Sequence, residues 1–394
     1  MTRQIIVSLL SILISSLTLT GQSHLLTDTS YHLFNNKIKS ILRFDIVNSD
    51  TIYEDSASYY YITGNLWQQG SYKNGKMNGD WTTWYPSGII KRKSHFEDGV
   101  KNGKVINYYE NGNPKLTLNY NNDSLVGIAT LYYNNNQIKE TRYYKNNKLN
   151  GLTTGYNIHG DLSYRINFVD SIQNGLYEKY FFSGKLKEKG EIIDQQFYGK
   201  YTSYYENGQV EKEYSYSAYA IDGPYVVYFD NGDLMIECNY NNGVIVGLWQ
   251  HYHENGSISE TGNYRNGVRE GSWYSFYSDS TKYMVGAYNN GLAEGLWEVY
   301  HPNGTLKQKG SFTLGASNGS WEFYHDNGKI RLKGTYINNK NNGHWVHYYK
   351  NGKVKLDLYY ISGMLDGILT AYDDMGNLIE QAEYKDNKLV RKIK

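Results

Sequence analysis

With 394 residues, 40 Lys and Arg against 39 Asp and Glu, and a formal charge of +1, the chain lacks the basic footprint of a nucleic-acid binder. Its one cysteine, Cys238, excludes an internal disulfide framework, so stability has to come from packing and hydrogen bonds. Forty-three tyrosines and 40 glycines beside four prolines favour strands, turns and free backbone donors, which is an all-β composition.

In chain order, residues 1–21 read as a secretory signal peptide: Arg3, a nearly uninterrupted apolar and hydroxyl run from Ile5 to Leu19, then small residues. The run is short for a membrane span, and no cysteine follows it closely, so a lipoprotein anchor is not expected. The chain is therefore expected to be exported, with periplasm, cell surface and medium all open. Residues 22–54 lack the pattern that follows, and the stretch IKSILRFDIV within them predicts one or two strands capping what comes next.

From 55 to 390 the sequence repeats. Glycine recurs thirteen times at a spacing of 24, from Gly79 to Gly367, without insertion or deletion, and a weaker fourteenth copy begins at Asp55. Five residues after each start stands an aromatic residue, from Tyr60 and Trp84 to Tyr372. Nine after, glycine stands in all copies but two, which carry Asn136 and Ser280; seventeen after, Tyr or Phe stands in all but the copy with Ile192. Asn-Gly pairs at 111–112, 207–208, 231–232, 255–256, 303–304, 327–328 and 351–352 sit between aromatic-rich alternating runs. Asn-Gly favours a two-residue type I′ turn, so each unit predicts a β-hairpin. In the copy starting at Gly319, Ser320 to His325 reads as the first strand, Asp326 to Gly328 as the turn, Lys329 to Tyr336 as the second strand and Ile337 to Asn342 as a link. A lone hairpin is marginal in water, whereas stacked copies bury each other's aromatic faces. The fold expected is all-β, an elongated solenoid of about fourteen stacked 24-residue hairpins. Gly262, Gly286, Gly310 and Gly334 share one place in the second strand, where a missing side chain lets a neighbouring ring lie on the backbone. The last residues, 391–394, read as a basic tail that discourages edge-to-edge pairing.

Gly262, Tyr264, Gly267, Gly271 and Trp273 form the run G-x-Y-x-x-G-x-x-x-G-x-W, which resembles the MORN repeat and, more closely, its bacterial variant. Gly310, Phe312, Gly315, Gly319 and Trp321 repeat it with Phe for Tyr, and the resemblance spans roughly Asp55 to Leu389. It implies a hairpin scaffold for protein–protein interaction, sometimes phospholipid binding, and in some bacterial relatives an antitoxin component.

Exact repetition works against catalysis, which needs different groups converging on one place. His253, His301 and His325 share one repeat position, but equivalent strands lie about 10 Å apart, too far for one zinc, so they read as substitute rings. His344 and His347 are too isolated to add a ligand set. Glu270 and Glu294 precede the repeat glycines in expected linking turns, where carboxylates are ordinarily solvated, and Cys238 stands where the next copy has Gly262, a small buried substitute. No nucleophile elbow, phosphate loop, HExxH or CxxC is present. Trp249, Trp273, Trp297, Trp321 and Trp345 form an unbroken column, which reads first as a stacked core and second as an aromatic binding ridge. The function expected is a non-enzymatic exported scaffold, without cofactor or metal, binding another protein through an extended aromatic-rich surface. A cell-envelope glycan- or lipid-binding module is the alternative.

Overall fold

The computed structural model describes residues 26–32, 36–47 and 50–394; the leader expected at 1–21 lies outside them. The described residues form 36 strands and no helix, paired antiparallel with their sequence neighbours. They divide into two compact units, one of residues up to 138 with 144–147, the other of 139–143 with 148–394.

In the first unit the strands Leu26–Tyr31, Ile38–Val47 and Asp50–Tyr60 pair in sequence and lead into Leu66–Lys73 and the repeats. Leu42, Ala57 and Trp81 form its buried cluster, with Tyr53, Tyr59, Tyr72, Met77 and Phe96 packed around them. The stretch expected to cap the array thus supplies a core side chain to its first copies. In the second unit the ladder runs on to Lys388–Lys392, which pairs with Leu378–Lys385 and holds Arg391 and Lys392 in a strand.

One repeat explains the rest. Leu292–Tyr300 pairs with Leu306–Thr313, Trp297 opposite Gly310 and Glu298 opposite Lys309. Leu306–Thr313 then pairs with Ala316–Tyr324, with Thr313 opposite Ala316. The expected link between units is therefore a second hairpin: in the neighbouring copy, Ile330–Ile337 and Lys340–Tyr348 are joined by Asn338 and Asn339 alone. Those two residues have φ of 47° and 65°, the two positive values a type I′ turn requires.

The type I′ turn expected at the seven Asn-Gly pairs lies elsewhere. At Asn111–Gly112 only the glycine has positive φ; the Gly112 amide donates to the Tyr109 carbonyl and the Tyr109 amide to the Asn113 carbonyl. That is a three-residue loop with a type I turn and a left-handed glycine, which Asn136 and Ser280 imitate at φ 70° and 66°. Three-residue loops lie on one edge of the ladder and type I′ turns on the other.

The period-24 glycines mark a different feature. Gly262 pairs with Trp273 but Asn263 with Glu270, so Gly271 and Ser272 bulge from that side of the ladder. All thirteen such glycines have φ between 66° and 129°, and Asp55, which begins the weak copy, has φ 62°. The bulge, not the turn, sets the strictest period in the sequence.

Candidate functional site

Alternation gives each unit an aromatic face and a charged one. On the aromatic face of the second unit, Trp273, Trp297, Trp321 and Trp345 are between 1% and 7% exposed. Each ring lies flat over a glycine of the preceding strand: a Cβ built on Gly262, Gly286, Gly310 or Gly334 would fall 2.0–2.2 Å from it. The indoles do not stack on one another here. They alternate with Tyr264, Tyr288, Phe312, Tyr336 and Tyr360, edge to face at 4.8–6.5 Å between centroids.

Trp249 is the exception, and Cys238 is the cause. With a side chain where the other copies have glycine, the indole cannot lie on the backbone; it is half-buried and stacks on Trp273 at 5.6 Å and on His251 at 6.1 Å. Cys238 itself is 6% exposed, and burial pushes its thiol up to about 11, which disfavours a reactive thiolate.

Earlier copies of this unit replace tryptophan by Tyr177 and Tyr201, whose hydroxyls donate to the two oxygens of Glu188 at 2.8 and 2.5 Å. Burial would raise the Glu188 pKa, but these hydrogen bonds and Lys179, 3.3 Å away, together hold it below its ordinary value.

The histidine column does what its tyrosine counterparts do. Tyr277 and Tyr349 donate hydroxyls to the carbonyls of Tyr300 and Tyr372, one copy on, and the Nε2 atoms of His253, His301 and His325 reach Phe276, Tyr324 and Tyr348 carbonyls at 3.0–3.4 Å. These are donor positions, which keeps Nε2 protonated and unfit for metal. His344 pairs with Asp357, and burial, with Arg331 and Lys355, lowers the His347 pKa. Among the described residues no cluster of three or more His, Cys, Asp or Glu could hold a metal.

Glu270 and Glu294 lie in strands, not in linking turns as expected from sequence. Each carboxylate accepts a backbone N–H from the next type I′ turn, that of Asn290 at 2.8 Å and of Leu314 at 2.9 Å. They cap turns.

Two shallow hollows lie in this unit, both at the level of charged side chains. Glu178, Lys189, Glu191, Lys200 and Glu213 surround Thr202 in one, with Lys200 and Glu213 paired at 2.9 Å. The other lies among His301, Lys307, Tyr324, His325, Arg331 and Lys350.

Sequence reasoning passed over a third feature. On the type I′ edge, Val244, Val268 and Leu292 follow consecutive turns and are 40–48% exposed, and Leu314 in the next turn is 73% exposed. Each leans on the glycine of the turn beyond it: Cβ positions at Gly267, Gly291 and Gly315 would lie 3.4–3.6 Å from Val244, Val268 and Leu292. Ile337, Ile361 and Met364 continue this apolar rim. Its trace in the sequence is an aliphatic residue directly after Asn-Gly at a period of 24: Asn242-Gly243-Val244, Asn266-Gly267-Val268, Asn290-Gly291-Leu292.

The model of the MORN repeat variant matches ten segments: 77–98, 101–122, 125–146, 173–194, 197–218, 221–242, 245–266, 293–313, 317–338 and 341–362. A comparison with curated proteins finds no match. Among solved structures, one titled "Crystal Structure of TcdB2-TccC3-Cdc42" is 12% identical, with 89% of this chain and 27% of that chain covered and a TM-score of 0.14. Another, "Crystal Structure of TcdB2-TccC3 without hypervariable C-terminal region", is 12% identical over 90% of this chain and 27% of the other, with a TM-score of 0.14. This chain thus spans about a quarter of the length of either.

Proposed function

This chain belongs to the MORN repeat variant family, and on that premise we propose that it is a non-enzymatic scaffold that binds another protein along its type I′ edge. The apolar rim is the observation that carries the reading. Exposed aliphatic residues scattered singly are ordinary, but a row of them directly after consecutive turns, on an edge where polar residues are the rule, marks a surface that gains from being covered. Binding would be additive over copies, with shallow contacts repeated at two-strand spacing.

Burial of Trp273, Trp297, Trp321 and Trp345 removes the aromatic ridge as a binding surface, for a protein partner as much as for a glycan, which moves the proposed contact to the rim. Export through the leader belongs to the proposal as well. Cell fractionation of the full chain and of one lacking residues 2–21 tests it: an intracellular full-length product would sink the exported location.

For the rim, photo-crosslinking in the native cell would compare the natural chain with Val244→Lys, Val268→Lys, Leu292→Lys. The expected result is loss of one captured partner with an unchanged thermal midpoint, since all three side chains are exposed. Undiminished capture would overturn the assignment.

A further inference from the structure

The opposite edge of the second unit has a different character. From 205 to 283 its three-residue loops, each with the residues just beyond, carry six carboxylates and a single lysine, Lys282; from 301 to 355 they carry six cations and a single carboxylate, Asp326. The whole chain is near neutral, so this is segregation and not composition. The loops are held in fixed register: Asn255 donates its side-chain amide to the Ser278 carbonyl, Asn303 to Asp326 and Asn327 to Lys350, each one copy on. Asp230, Asp233, Glu254 and Asp279 on the one side are exposed, as are Lys329, Arg331, Lys353 and Lys355 on the other.

We propose that this edge is the interface between two copies of the chain, docked antiparallel about a twofold axis near the boundary between its acidic and basic halves. A twofold contact must be self-complementary, and a rim acidic in one half and basic in the next meets that condition without further shaping. The loops recur every two strands, about 10 Å, so the register follows. The loop at Asp279 faces that of Lys307 in the second copy, Glu254 faces Lys329 and Arg331, and Asp230 with Asp233 faces Lys350, Lys353 and Lys355; the attractive contact ends there, because one loop further out Glu206 and Glu211 meet Asp373 and Asp374. An acidic protein or polyanion seated on the basic half alone would leave the acidic half without a role. Within one chain, Asp326 is paired only locally, with Lys350 at 2.9 Å. Exposed pairs contribute little singly, so association is steered by the summed field and falls with ionic strength. The proposal is independent of the apolar rim.

Sedimentation of the full chain at about 0.05 M and about 0.5 M salt is the first measurement, with dimer expected at the lower and monomer at the higher. Two charge-reversed forms follow: Lys329→Glu, Arg331→Glu, Lys353→Glu leaves three cations against four carboxylates in the basic half, and Asp230→Lys, Asp233→Lys, Glu254→Lys leaves three carboxylates against four lysines in the acidic half. Each alone is expected to be monomeric at low salt, with self-affinity weakened about tenfold or more, and their mixture to form a one-to-one dimer. Circular dichroism on both forms verifies that the substituted chains stay folded. A natural chain monomeric at low salt and tens of micromolar, reversed forms that self-associate like the natural chain, or a mixture that does not associate would each overturn the proposal.

Discussion

A Cβ at Gly310 would sit 2.0 Å from the Trp321 ring, closer than two non-bonded heavy atoms can stand, so that glycine is fixed by its neighbour's side chain and not by a turn. Gly310→Ala should lift the indole and cost about 1–3 kcal/mol, read by urea unfolding and a red shift in tryptophan emission. Cys238 is the same experiment made by the chain itself, with Trp249 left half-buried. Cys238→Gly should let that ring settle, and acrylamide should quench a smaller share of the fluorescence; an unchanged share would show that another contact holds Trp249 out. Trp297→Ala removes a ring wedged between Tyr288 and Phe312 and should cost about 3–5 kcal/mol. The glycine–ring partnership was legible in the sequence because both halves recur at a fixed offset. The exposure of Trp249 was missed because Cys238, in the glycine's place, read as a small substitute, whereas even a Cβ fills the space the ring needs.

At the scale of the hairpin, three-residue loops and type I′ turns use similar residues, so composition alone does not separate them. Asn-Gly occupies the loop at Asn327–Gly328 and the turn at Asn266–Gly267, while Asn338–Asn339 and Leu314–Gly315 serve as turns that no dipeptide rule singles out. Backbone φ and loop length distinguish them, and neither is written in one copy. This is why residues 337–342, read as a link, are mostly strand. Histidine as a ring substitute was legible from its column. His301→Tyr should be nearly neutral and His301→Ala should cost about 1 kcal/mol through the lost bond to the Tyr324 carbonyl, measured by thermal unfolding. Glu188 gives this stretch a pH response. Its folded-state pKa lies below the ordinary value of 4.5, so its contribution is complete above that value and is lost as pH falls through the folded pKa. The unfolding midpoint should therefore fall more between pH 6 and 3 in the natural chain than in Glu188→Gln; equal slopes would count against the tyrosine clamp.

At the scale of the molecule, a ladder whose copies touch only their neighbours should accept removal of one copy and reject a near miss. Deleting residues 293–316 joins Leu292 to Ser317 in register and brings Trp321 onto Gly286, so the β spectrum should persist, with a denaturant slope lower in proportion to the lost area. Deleting 293–315 instead turns every following side chain to the wrong face, and that chain should aggregate. The repeat length carried this much in plain view. The two edges did not show themselves, since Val244, Val268 and Leu292 fall in stretches that read as links until strands are seen to begin there, at the rim.

The Asn-Gly pairs of the loops and turns also bear on how the protein ages. Asparagine before glycine is the bond most prone to deamidate, because the glycine nitrogen attacks the side-chain carbonyl with little hindrance. In every one of the seven three-residue loops that carbonyl oxygen already accepts the amide two residues on, which pins it away from attack. Asn242, Asn266 and Asn290, in the type I′ turns before Val244, Val268 and Leu292, accept no such bond on the side-chain carbonyl among the described residues, so old protein should gain new carboxylates there, turning the greasy edge acidic with time.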